Sequence, residues 1–118
     1  MSWDIEYTDE FEIWWDGLDE SEQVSVATVV GLLEEKGTHL SFPYSSKIFG
    51  SRYTQIRELR IQHRGEPYRI LYAFDPKRTA LLLLGGKKTG QERWYMSFIP
   101  IADRLFDEHL DRLNKGAL

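Results

Sequence analysis

The 118-residue chain predicts an α+β domain in the order βααβββα, a helical hairpin packed on a small twisted antiparallel sheet with a C-terminal helix. Three observations carry this. Apolar residues recur at helical spacing before residue 37, short apolar segments separated by turn signals run from 53 to 84, and a second helical stripe follows residue 97. The length fits one domain, 1–118, with a single substantial core.

Each element has a local reason. Trp3, Ile5 and Tyr7 alternate as in a half-buried strand. Thr8 is a candidate N-cap with Asp9 and Glu10 behind it, and Phe11, Trp14, Trp15 and Leu18 form an apolar helical face that closes near Gly17. Both tryptophans are therefore read as packing groups. Asp19 and Glu22 have capping-box spacing at the head of a second helix, whose Val26, Val29, Val30 and Leu33 lead to a stop at Gly37. Residues 38–52, with Pro43, Gly50 and several serines, read as loop. Strands are expected at about 53–62, 67–74 and 79–84, joined by HRGE and DPKR, the latter a type I turn with proline at its second position. The unbroken TALLLL suggests a strand covered on both faces. Phe98, Ile101, Ala102, Leu105, Phe106, Leu110 and Leu113 give the last helix, with Pro100 either in its first turn or inside a longer helix that starts earlier.

Composition narrows the chemistry. The absence of cysteine excludes disulfides and thiolate metal sites. The acidic opening MSWDIEYTDEFE is unlike a secretory leader, and no apolar run reaches the roughly 18 residues of a membrane span. A soluble, cytoplasmic protein is the expectation. The net charge of -4 conceals an asymmetry: residues 1–40 hold eleven acids and one lysine, whereas residues 41–95 hold eleven Lys/Arg and four acids. Such a division suits a polyanion on one face, or acidic helices neutralising basic strands.

Register sharpens the first possibility. A hairpin turn centred between Arg64 and Gly65 sets Arg60 directly opposite Arg69, a repulsive pair that needs an anion. Glu58, two residues away on the same face, is one candidate; a phosphate is the other. Carrying the register through DPKR places Leu84 beside Arg69, so that the Gly85–Gly86 exit from the sheet would aim Lys87, Lys88 and Arg93 at the arginine pair. GGKKTGQ lacks the Lys-Ser/Thr pair of a phosphate-binding P-loop. His39, His63 and His109 show no metal spacing, and no metal or cofactor is expected. His109 reads as structural, while His63 at a basic turn is either solvated, an RNA contact or a proton carrier. No serine nucleophile with a matched base is apparent.

The segment ELRIQHRGEPYRILYAFDPKRTALLLLGGKKTGQERWY, followed by IPIADRLFDEHL, resembles the phage-derived, HigB-like branch of the RelE/ParE toxin superfamily, and the resemblance spans nearly the whole chain. It implies a cytoplasmic toxin of a type II toxin–antitoxin pair that cleaves mRNA on the ribosome. Its partners would be mRNA, the ribosome and a cognate antitoxin of helix-turn-helix, DNA-binding type, with no membrane involved. Arg69 matches the sheet arginine of the pattern and Arg60 the preceding basic position. Lys87, Lys88 and Arg93 fill the basic segment after the last strand, and Tyr95 matches its aromatic. Glu58 stands where RelE-like strands often carry another lysine.

These six residues, Arg60, Arg69, Lys87, Lys88, Arg93 and Tyr95, are the candidate catalytic set. Arg57, His63, Arg64 and Trp94 are candidate RNA contacts, although Trp94 would equally serve to cap the core. In-line attack by a ribose 2′-hydroxyl needs phosphate-binding cations and a proton carrier. Clustered positive charge should lower Tyr95 or Lys88 towards a useful base, with Lys87 or Arg93 as electrostatic helper or acid. Two rival expectations are a ParE-like gyrase inhibitor and a non-catalytic, decayed module that still binds its antitoxin.

Overall fold

A computed structural model describes residues 2–116. The chain opens with β1 (Asp4–Tyr7), and the Thr8 side chain accepts from the Phe11 N–H to start α1 (Asp9–Asp16). Asp19 and Glu22 form a reciprocal capping box at the head of α2 (Glu20–Lys36). A single 3-10 turn (Gly37–His39) leads through a loop to the short β2 (Ser45–Lys47). The strands β3 (Arg57–His63), β4 (Glu66–Phe74) and β5 (Thr79–Lys87) follow, and α3 (Gln91–Gly116) closes the fold. None of these helices is long and apolar enough to cross a membrane.

The sheet runs β1-β5-β4-β3-β2, with β1 parallel to β5 and every other pair antiparallel. Side chains alternate between its faces. Leu59, Ile70 and Leu82 meet Phe11, Val26 and Leu33 of the helical hairpin, whereas Leu71, Ala73 and Leu83 meet Ala102 and Phe106 of α3. The leucine run is thus buried on both sides, as its composition implies.

Several local expectations change. The three residues of β2 lie in the segment read as loop; Ser-Ser-Lys has no apolar alternation and becomes a strand only by pairing with β3. Residues 53–56 precede β3 rather than belonging to it. The DPKR turn forms, with the Arg78 N–H donating to the Asp75 carbonyl at 2.9 Å. Arg78, however, adopts a positive φ of 66°, so the strands close at Asp75–Thr79 through a three-residue loop. A further irregularity at Leu71/Tyr72 then brings Gly86, not Leu84, opposite Arg69.

The glycine pair also does something other than turn the chain out of the sheet. Gly85 and Gly86 remain in β5, paired with Ile70 and Arg69. A Cβ on Gly85 would lie 2.2 Å from the Trp14 ring, and one on Gly86 would lie 2.6 Å from Phe98. Close packing from both faces is the requirement that excludes a side chain.

Behind the sheet, the β4–β5 turn is clasped to α3. One Asp75 carboxylate oxygen accepts from the Lys77 and Thr79 N–H groups, and the other meets His109 Nε2 at 2.8 Å. Glu6 adds a third potential metal donor within 4.8 Å, a proximity that sequence spacing could not reveal. Both Asp75 oxygens are already engaged, so the group reads as a clasp. Burial pushes the Asp75 pKa up, but the bonds from His109 and the two backbone donors outweigh it and hold the group below the usual carboxylate range.

Gly85→Ala should destabilise the protein by about 1–3 kcal/mol, read as a lower urea midpoint, because the Trp14 ring must move. Since the folded Asp75 value is depressed, its contribution is full above the unfolded value near 3.8 and is lost as pH falls through the folded value. Asp75→Asn should therefore lower stability at neutral pH and flatten its acid dependence, as measured by urea midpoints across pH.

Candidate active site

The α3 face of the sheet carries a charged cluster at the end where β5 leaves for α3. Arg60 pairs directly with Arg69, as the hairpin arithmetic requires, and Glu58 lies two residues along the same face. Tyr95, in the first turns of α3, reaches down to this face and donates its hydroxyl to Glu58 Oε1 at 2.6 Å. Ser46 of β2 donates to Glu58 Oε2 at 2.7 Å, and Arg60 Nη1 approaches the same oxygen at 3.4 Å. Lys88, one residue beyond β5, is held by its N–H bond to the Pro67 carbonyl and sets its Nζ 5.1 Å from the Tyr95 ring centroid.

Glu58 is therefore the anion between the arginines. Its side chain is 5% exposed, that of Arg69 is 4% and that of Arg60 is 30%, so Arg60 is the arginine that solvent reaches. Arg69 Nη1 donates to the Tyr68 carbonyl at 3.0 Å, whereas its Nε lies 3.5 Å from Glu58 and makes no hydrogen bond. A buried guanidinium with one unsatisfied donor is costly and is retained here by its neighbours.

Proton affinities in the cluster diverge. Burial, then the bond to Glu58, pushes the Tyr95 phenol up to about 12, which reverses the expectation that nearby cations would lower it. Lys88 moves the other way, held below the ordinary lysine value first by burial and then by the Arg69 charge. Of the two base candidates, Lys88 alone is shifted towards that role.

The rest of the candidate set disperses. Lys87 pairs with Tyr68 across the ladder, faces the opposite side of the sheet and bonds to Glu66. Arg93 is exposed on α3, two residues from Tyr95 and so about 200° around the helix from it. Trp94 is buried and stacked on Phe98 with ring centroids 4.3 Å apart, so it caps the core and is not free to stack on a base. Arg57 donates to Ser45 on the helical-hairpin face. His63 meets Ser25 at 2.8 Å against α2, and Arg64 occupies the adjacent turn at a φ of 51°. None of these last three joins the cluster. Sequence reading missed Ser46, because β2 carries no strand pattern, whereas Glu58 holds the place between the arginines that its position two residues from Arg60 made it a candidate for.

An α+β fold in which a helical hairpin and a C-terminal helix sandwich such a sheet is that of RelE toxins. The isolated Escherichia coli RelE toxin superposes with a TM-score of 0.59 at 14% identity, over 85% of this chain and 99% of RelE. The Mycobacterium tuberculosis RelBE2 toxin–antitoxin complex contains a chain that matches with a TM-score of 0.55 at 16% identity, over 75% of this chain and all of that one. The profile of the family described as Phage derived protein Gp49-like matches residues 13–107. HigB3 of M. tuberculosis, a candidate toxin, is 44% identical over 94 residues, 79% of this chain and 81% of HigB3. HigB2 of the same organism, also a candidate toxin, is 40% identical over 99 residues, 82% of this chain but 49% of HigB2. The chain spans about half the length of that relative. It belongs to the phage-derived Gp49-like family, with HigB2 and HigB3 as relatives and the fold of RelE.

The cluster makes a contrast measurable. Glu58→Ala should cost about 3–5 kcal/mol in urea unfolding, because it strands the buried Arg69 charge and removes the acceptor of Tyr95 and Ser46. Arg60→Ala, at the solvent edge, should change stability by about 1 kcal/mol or less.

Proposed function

We propose that the protein is the toxin of a type II toxin–antitoxin pair and a metal-independent endoribonuclease that cuts mRNA on the ribosome. The observation that carries this reading is the convergence of Arg60, Arg69, Lys88 and Tyr95 on one partly open face, with proton affinities moved in opposite directions. Arg60 binds the scissile phosphate from the solvent side, with Arg69 behind it supplying charge. The phosphate competes with Glu58 for the Arg60 guanidinium, and the scissile 5′-oxygen competes with Glu58 for the Tyr95 hydroxyl. Neutral Lys88 accepts the proton of the 2′-hydroxyl, whose oxygen attacks the adjacent phosphorus in line. Tyr95, which keeps its proton to high pH, donates it to the departing 5′-oxygen and recovers one from Lys88. A 2′,3′-cyclic phosphate and a 5′-hydroxyl result. RelE chains solved with antitoxins in the E. coli RelBE and M. tuberculosis RelBE2 complexes support a cognate antitoxin for this chain, taken here to be of helix-turn-helix type.

A second reading, an antitoxin-binding module without cleavage, draws on the occupation of the arginine pair by Glu58. Induced alone in bacteria, the wild-type chain should produce new 5′ ends within translated frames, and both Lys88→Ala and Arg60→Ala should reduce them on the order of 100-fold. Arg69→Ala is the poorer test, because its buried side chain also supports the fold. Intact messages in arrested cells would point to gyrase instead, and intact messages in healthy cells to the binding module. With purified components, the single-turnover rate should rise with pH along a limb lying below that of an ordinary lysine, and Lys88→Ala should lose this limb.

A further inference from the structure

Exposed apolar side chains on a small domain are informative when they gather. Phe42, Tyr44, Phe49 and Met96 are 70%, 44%, 88% and 75% exposed, and all four surround Arg60. The Phe42 ring centroid lies 5.2 Å from the Arg60 guanidinium, and Tyr44 lines a recess that Arg60 and Arg69 share. Phe49 and Met96 line a second recess, of about 570 Å³, whose lining also includes Lys47, Glu58, Arg60 and Tyr95. It opens between the segment joining β2 to β3 and the first turns of α3.

That segment is fastened down. Ser51 Oγ donates to Asp103 at 2.5 Å, the Arg52 N–H donates to the other Asp103 oxygen at 3.1 Å, and the Tyr53 hydroxyl bonds to Asp107. Asp103 is itself buried on α3. Phe49, two residues before this clamp, is thus presented to water on a tethered loop. Little ordering is needed when a ligand arrives.

We infer that this recess takes an unpaired RNA base next to the phosphate bound by Arg60, with Phe49 and Met96 as its stacking walls. The inference rests on the cleavage reading above and adds the part of the substrate that the cations do not hold. Glu58 and Glu92 line the recess too, so its cations are local: the Phe49 wall offers a base a π-face, and Lys47 and Arg60 supply positive charge for the adjoining phosphates. The buried centre of a protein–protein interface is instead depleted of charge.

The test uses a fluorescein-labelled, uncleavable 2′-O-methyl RNA hexamer and anisotropy, with thermal melts to verify that each variant is folded. Phe49→Ala should weaken binding roughly tenfold. A hexamer with one abasic position should lose a similar factor against the wild type and almost none against Phe49→Ala, because the two changes delete the same contact. Unchanged binding by Phe49→Ala, or equal losses for the abasic strand in both proteins, would overturn the recess and leave Lys88-dependent message cleavage standing. Absence of hexamer binding by the wild type would overturn it as well. Weakened antitoxin binding by Phe49→Ala with RNA affinity intact would reassign the patch to a protein partner. Intact messages in cells would instead refute the cleavage reading, whatever the hexamer does.

Discussion

Two consecutive positions without side chains, Gly85 and Gly86, set how closely the layers of this protein approach. At Gly85 the Trp14 ring packs against the backbone from the hairpin side, and at Gly86 the Phe98 and Trp94 rings do so from the α3 side. A strand thinned at both positions lets α3 descend far enough for Tyr95 to reach Glu58. The site is thus a consequence of the packing distance. The same closeness buries Arg69 and Glu58 almost completely, strengthening their mutual attraction and raising the cost of separating them.

Glu58 gives the site its character. Four neighbours, Ser46, Arg60, Arg69 and Tyr95, come from β2, β3, β4 and α3 and converge on one carboxylate. A phosphate entering between the arginines meets groups already oriented for an anion, but it must compete with an internal one. Preorganisation and competition come from the same residue. The divergence of Tyr95 and Lys88 has a related origin: burial disfavours the charged form of each, and that raises a phenol and lowers an ammonium.

The rest of the molecule divides between two kinds of surface. The helical hairpin holds most of the acidic residues of the first forty positions, and Arg60 of β3 and Lys88 just after β5 lie at the opposite layer. The low pI of about 5.4 therefore coexists with a locally cationic cluster, and net charge says little about what the active face binds.

The sequence by itself determined the elements whose causes are local. Thr8 and the Asp19–Glu22 box start helices through bonds within four residues, the leucine run marks a strand buried on both sides, and the Arg60–Arg69 pairing follows from one tight turn. Tertiary structure decided what depends on distant partners. Ser-Ser-Lys became a strand only beside β3, a positive φ at Arg78 and an irregularity at Leu71/Tyr72 moved Gly86 into the place expected for Leu84, and α3 began early enough to bury Trp94. Side-chain alternation then separated Lys87 from Lys88, sending neighbouring lysines to opposite faces. A residue's type and spacing limit what it can do, but its face and its burial are properties of the assembled layers, because a shift of one position in a strand exchanges core for solvent.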